Sequence, residues 1–319
     1  MRVGCLLVIA TFTCFSVKGQ QDPQFSQYMS NVSYWSPSFT GAEGVASIYL
    51  LSRSQWVGYS GSFDQTGGAP STQYINYSMP LDVLNTPLSV GATIIYDQLG
   101  PSSSIQLHLP VAHHFEFPRG TLSVGLRPVL NNAVVDFGQL DFLNPTEERG
   151  TKESQFLFDL DAGVSYSTEN YRIGLGVHHL LTPQLNYGLA DRNGTSQPVQ
   201  LLYNLYGEYN YQISYRLSLS PSILVQTDIN TYSVNAGAIA TYAGKISGGI
   251  SYRYSESIVF IFGYSFFENN ALRVGYSFDY VINDQEVKSQ TSHEIYVRYN
   301  LPKFDSGSKK IIRTPRFRF

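Results

Sequence analysis

Charge is scarce in this chain. Asp, Glu, Lys and Arg make up only 14 % of its 319 residues, against roughly 25 % in an ordinary soluble domain. No block of one sign interrupts the body of the chain and the formal net charge is −3, so the electrostatic footprint of a nucleic-acid-binding protein is missing. Cysteine is almost absent too. Cys5 and Cys14 both fall in an N-terminal stretch that reads as a cleavable export signal over 1–19. It has Arg2, an apolar run from Cys5 to Val17, and Val17-Lys18-Gly19 with small or moderate side chains at the −3 and −1 positions. Removing it leaves no thiol, which excludes a disulfide scaffold, a cysteine nucleophile and a cysteine-based metal site. Long hydrophobic runs are also lacking: the leader's is about 13 residues, short of the roughly 20 that a membrane-spanning helix needs. No later segment reaches about 18, so a helical membrane protein is excluded. No Gly-rich loop joins a strand to a helix in the manner of a phosphate site.

Aromatic residues and glycine are plentiful, with 24 Tyr, 19 Phe and 27 Gly. They fall in segments of about ten residues that alternate with period two. Leu272, Val274, Tyr276, Phe278 and Tyr280 share one face, while Arg273, Gly275, Ser277 and Asp279 share the other. Ile258, Phe260, Phe262, Tyr264 and Phe266 repeat the pattern, as do Ile295, Val297 and Tyr299. About 14 such segments are predicted, centred on 45–53, 72–80, 87–97, 103–117, 120–130, 155–167, 170–180, 198–211, 215–227, 231–242, 244–254, 256–266, 271–281 and 291–301. Their connections largely alternate between long and tight, although those near Leu99, Ile229 and Glu256 are short where long ones are expected. The fold class expected is therefore all-β: an outer-membrane-type transmembrane antiparallel barrel over 45–301, with the N-terminus and the tight turns on the periplasmic side. An unpaired charge facing mid-bilayer lipid costs on the order of 2–4 kcal/mol. The strand charges should therefore face inward, and Arg127, Arg172, Arg253, Arg273 and Arg298 with Asp159, Asp161, Glu208, Asp279 and Glu294 form a predicted polar network of balanced sign in the lumen. Outer-membrane lipid is the partner of the opposite face.

Candidate chemistry is sparse, and neither a catalytic residue, a metal ligand nor a cofactor site is predicted. His113-His114 and His178-His179 invite a metal, but neighbours on a strand point to opposite faces and cannot share one ion. Ser292-His293-Glu294 has the letters of a hydrolytic triad at a spacing that prevents the hydrogen bonds. Three features invite a partner or a plug. Arg53, Gln55 and Trp56 sit at the mouth of the first long loop, as exposed anchors for a partner or, for Trp56, as part of an aromatic girdle. Residues 20–44 lack a strand pattern and would plug the lumen, lie on the periplasmic mouth, or form a loose leader. The basic tail over 302–319 ends in Arg313, Arg316, Phe317 and Phe319, and suits an acidic periplasmic partner or an anionic lipid leaflet.

The segment Gln21-Asp22-Pro23-Gln24-Phe25-Ser26-Gln27-Tyr28, then Arg53, Gln55, Trp56 and Gly58, then Pro70 and Thr72, resembles the opening of the PorP/SprF family of type IX secretion system membrane proteins. Asp97 with Gly100, Asp161 to Tyr166 followed by His179-Leu180, Gly275 to Tyr280, and Ser292 to Ile295 continue the likeness across the mature chain. Tyr34-Trp35-Ser36-Pro37-Ser38 departs from it, where the family usually shows Asn-Pro-Ala. The resemblance implies a non-enzymatic outer-membrane component supporting export and surface display of proteins with a type IX C-terminal signal, gliding adhesins among them. Its partners would be type IX components on the periplasmic side and the secreted adhesin or its signal domain. The rival reading from composition alone is a porin or hydrophobic-solute transporter.

Overall fold

The computed structural model describes residues 22–58, 68–83, 86–139, 152–186, 197–283 and 289–302. The predicted signal over 1–19, and Arg313, Arg316, Phe317 and Phe319 of the tail, lie outside them.

Eighteen strands form: β1 (Ser47–Ser54), β2 (Ser71–Val83), β3 (Thr86–Leu99), β4 (Ser102–His108), β5 (Val111–Phe117), β6 (Gly120–Asp136), β7 (Lys152–Ser167), β8 (Tyr171–His178), β9 (Gln184–Leu185), β10 (Gln197–Pro198), β11 (Leu202–Tyr209), β12 (Tyr211–Ser214), β13 (Leu217–Thr227), β14 (Tyr232–Tyr242), β15 (Ile246–Arg253), β16 (Ser257–Phe266), β17 (Leu272–Val281) and β18 (Thr291–Asn300). β9 and β10 pair only with each other, in the long connection after β8. β4 and β5 are two halves of one wall strand, broken at Leu109-Pro110 because proline brings no N–H to the ladder. β11 and β12 are likewise one strand interrupted at Asn210. With those halves joined, the sheet is a closed antiparallel barrel of 14 strands, β1 pairing with β18 and β11 with β13.

Side chains alternate around this wall as the sequence periodicity predicted. Leu50, Ile75, Ile94, Leu126, Phe158, Ile173, Ile250, Phe262 and Tyr276 project outward, forming an apolar band. Arg127, Asp159, Asp161, Arg253, Asp279 and Glu294 are buried inside. The strand ends that the long connections join, after β1, β6, β8 and β17, lie at one end of the barrel. Both termini of the barrel and the tight turns 118–119, 168–170, 215–216, 243–245 and 267–271 lie at the other, while the short connections 100–101, 228–231 and 254–256 share the end of the long ones. No described helix is long and apolar enough to cross a membrane.

The hydrophobic core lies inside the barrel rather than beside it. Residues 22–46 fill the lumen, with two short 3-10 turns, Tyr28–Ser30 and Pro37–Phe39, flanking the single-turn helix α1 (Val32–Trp35). Phe25, Tyr28, Met29, Tyr34, Trp35 and Phe39 of this plug pack on Tyr49, Leu51, Tyr74, Ile95, Tyr206, Leu224, Val259 and Ile261 of the wall. The rings meet edge to face, with Phe25 5.0 Å from Tyr34 and Tyr34 4.8 Å from Trp35 between centroids, the arrangement that aromatic quadrupoles favour.

Candidate functional site

A row of glycines makes room for the plug. Gly125 of β6, Gly163 of β7 and Gly176 of β8 are direct cross-strand partners, and together they leave a smooth strip on the inner wall. The backbone from Trp35 to Ser38 lies across it. A Cβ on Gly176 would overlap the Trp35 carbonyl, and one on Gly125 would overlap Pro37 and Ser38. Without a Cβ at these positions, two backbones can approach directly. The stretch where the chain departs from the PorP/SprF pattern is therefore the part of the plug seated on the wall.

Charges then fasten the plug at two places, both toward the long-loop end. At the first, Arg53 lies 3.0 Å from Asp279 and 3.3 Å from Glu294. Glu294 accepts the backbone N–H groups of Ser26 at 2.8 Å and Gln27 at 2.9 Å, one on each carboxylate oxygen. The Ser26 hydroxyl bridges Asp279 and Arg53. Arg253 approaches Asp279 at 3.9 Å and donates to the Phe25 carbonyl at 3.4 Å. Thus wall charges satisfy plug backbone that would otherwise be buried unpaired, at a cost of about 1–3 kcal/mol per group.

The second fastening is centred on Arg127. It pairs with Asp161 at 2.7 Å and donates to the carbonyls of Ser33 at 3.2 Å and Tyr34 at 2.8 Å. Another guanidinium nitrogen lies 3.0 Å from His178 Nε2. A guanidinium can only donate, so His178 accepts there and carries its proton on Nδ1. That proton faces Asp22 Oδ2 at 3.1 Å. His179 reaches Asp22 Oδ1 at 3.2 Å and Asp159 at 2.7 Å, while its N–H donates to Asp161 at 3.0 Å.

Two expectations need correction. Arg53 is not an exposed anchor at a loop mouth: it is 1 % exposed, on the inward parity shared by Ser47, Tyr49 and Leu51. Gln55 and Trp56 are half-buried where the chain leaves β1, tied down by Gln55 N–H to the Pro70 carbonyl and Trp56 N–H to Ser292 Oγ. Nor do His178 and His179 point to opposite faces. β8 ends at His178, and His179 adopts φ +61°, so both rings turn onto Asp22. His113 and His114 do diverge, His113 packing at a tilt against Phe115 while His114 meets Ser89 and Ser123 inside. His293 lies against Tyr276, and Glu294 points into the lumen, so that trio forms no triad. Among the described residues no group of three or more His, Cys, Asp or Glu could hold a metal ion.

The remaining predicted lumen charges sit toward the short-turn end. Arg172 pairs with Glu208 at 2.7 Å and Arg298 with Glu43 of the plug. Arg273 lines the same space and is exposed to it. Here the lumen holds cavities of about 880 and 320 Å³ on the near side of the plug.

The family model for the type IX secretion system membrane protein PorP/SprF matches residues 17–299, nearly the whole barrel with its plug. The chain belongs to the PorP/SprF family. It is accordingly an integral outer-membrane barrel and a component of type IX secretion. No curated protein matches it in sequence. Among solved structures, the outer membrane protein Omp33 of Acinetobacter baumannii is similar with TM-score 0.45 and 8 % identity, over 81 % of this chain and 100 % of that one. The toluene transporter TodX of P. putida follows at TM-score 0.47 and 11 %, over 81 % and 89 %. Outer membrane phospholipase A of Escherichia coli reaches 0.40 and 12 %, over 83 % and 98 %.

Proposed function

We propose that this PorP/SprF member works in type IX secretion as a plugged, non-catalytic scaffold that supports export and surface display of cargo such as gliding adhesins. The observation that carries this reading is the plug. A lumen whose middle is packed with Phe25, Tyr34 and Trp35, each 2 % exposed or less, offers surfaces rather than a passage. In this reading the long loops face the cell exterior and meet the adhesin or its C-terminal signal domain. The short-turn end and the basic tail face the periplasm and meet other type IX components. Outer-membrane lipid covers the apolar band. Deleting the gene should leave the cargo adhesin inside the cell or shed from the surface, as read by surface immunolabelling, and unchanged display would overturn the proposal.

The cavities on the short-turn side favour one rival, a porin or hydrophobic-solute transporter. Planar-bilayer recording separates the two, because the scaffold stays electrically silent while intact, whereas sustained conductance or solute uptake by the unaltered barrel would favour transport.

A further inference from the structure

The 320 Å³ cavity is lined by three cations, Arg172, Arg273 and Arg298, and two anions, Glu43 and Glu208. Both anions are already engaged, Glu208 by Arg172 and the Tyr206 hydroxyl, and Glu43 by Arg298. One positive charge is left over. Arg273 and Arg298 are direct cross-strand partners on β17 and β18, and like charges directly opposite one another destabilise a sheet. Among the described residues no carboxylate lies within ion-pair distance of Arg273. The Nε of Arg298 is buried with no hydrogen-bond partner. A buried charged donor left unmet is costly, so its persistence calls for an acceptor. Hydroxyl side chains from Thr241, Ser247 and Ser265 line the same space, and Gly244 and Asn270 at its rim belong to the tight turns, so the cavity is reached from the short-turn mouth.

We infer that this half of the lumen is a binding site for an oxyanion group, a carboxylate or phosphate, held between Arg273 and Arg298 and entering from the short-turn mouth. Guanidinium groups suit it because their planar forks match both ions with paired, charge-assisted hydrogen bonds. A carboxylate would come from an acidic peptide segment of a periplasmic protein, and a phosphate from a soluble or lipid-borne phosphate. The inference stands independently of the scaffold role, since it concerns charge left unbalanced inside the barrel.

The test is isothermal titration of the detergent-solubilised full chain at low ionic strength with two probes, inorganic phosphate and a triglutamate peptide. At least one should bind with a dissociation constant below about 10 mM. Tighter binding of the peptide marks a protein carboxylate as the natural ligand, and tighter binding of phosphate marks the other source. Arg273→Gln should weaken the bound probe by about tenfold or more. Arg273→Glu should abolish binding by pairing with Arg298 in place of the ligand. Arg119→Gln, at an exposed turn of the same end, should leave it unchanged. None of the three variants should unfold below the parent, because Arg273 has no ion partner to lose among the described residues and its replacement relieves the like-charge opposition to Arg298. Absence of binding by both probes, or equal losses in Arg273→Gln and Arg119→Gln, overturns the inference.

Discussion

The two halves of the lumen use the same residue types to opposite effect. Toward the long loops, Arg53, Arg127, Asp161, Asp279 and Glu294 are all 3 % exposed or less; each meets an opposite charge, and all but Asp161 also meet a group on the plug. Toward the short turns, Arg172 and Glu208 keep 30 % and 14 % of their side chains in contact with solvent, while Arg273 lacks a counter-ion among the described residues. Buried, an ion pair fastens structure because losing one partner strands the other in low dielectric, at about 3–5 kcal/mol. Hydrated, the same pair is worth roughly 0–1 kcal/mol. Packing of the plug, more than the choice of charged residue, therefore separates a locked region from one free to bind.

The contrast can be broken most severely at Arg53. Arg53→Met leaves Asp279 and Glu294 buried side by side with only the distant Arg253 to offset them, and should destabilise the plugged state by about 3–5 kcal/mol. Thermal unfolding, with proteolysis of the N-terminal segment as a second readout, measures it, and a loss similar to that of a surface variant would contradict the account. Gly176→Val tests the seat without removing a charge. Its side chain must displace Trp35, at about 1–3 kcal/mol as for other overpacked sites, and the released plug should turn a silent barrel into a conducting one in planar bilayers. Arg172→Ala sharpens the other side of the comparison. Its partly hydrated pair should cost at most about 1 kcal/mol in the same unfolding assay.

Much of the wall was readable before any coordinates. Strand positions, inward charges and alternating connection lengths depend on neighbouring residues, and period-two alternation exposes them directly. Arg53 was legible by the same rule, since its parity matches Ser47, Tyr49 and Leu51, but its nearness to a loop drew it to the wrong side. His179 was harder: only a backbone angle outside the strand region brings its ring beside that of His178. The glycine row gave no signal, because Gly125, Gly163 and Gly176 are far apart in sequence and align only through the register of three strands. The plug's aromatic core was equally hidden, as residues 22–46 carry no periodicity long enough to declare a face.

Sequence alone determined that this chain presents an apolar face to lipid and must close into a barrel, because exposed backbone polar groups cannot be left unpaired in hydrocarbon. It also determined which side of each strand carries charge. Only the tertiary structure decided which charges meet, that the N-terminal segment fills the lumen, and that one arginine pair faces an open cavity. Those outcomes depend on strand register and on the return of the chain through its own barrel, and distant residues come together only when the whole wall has closed.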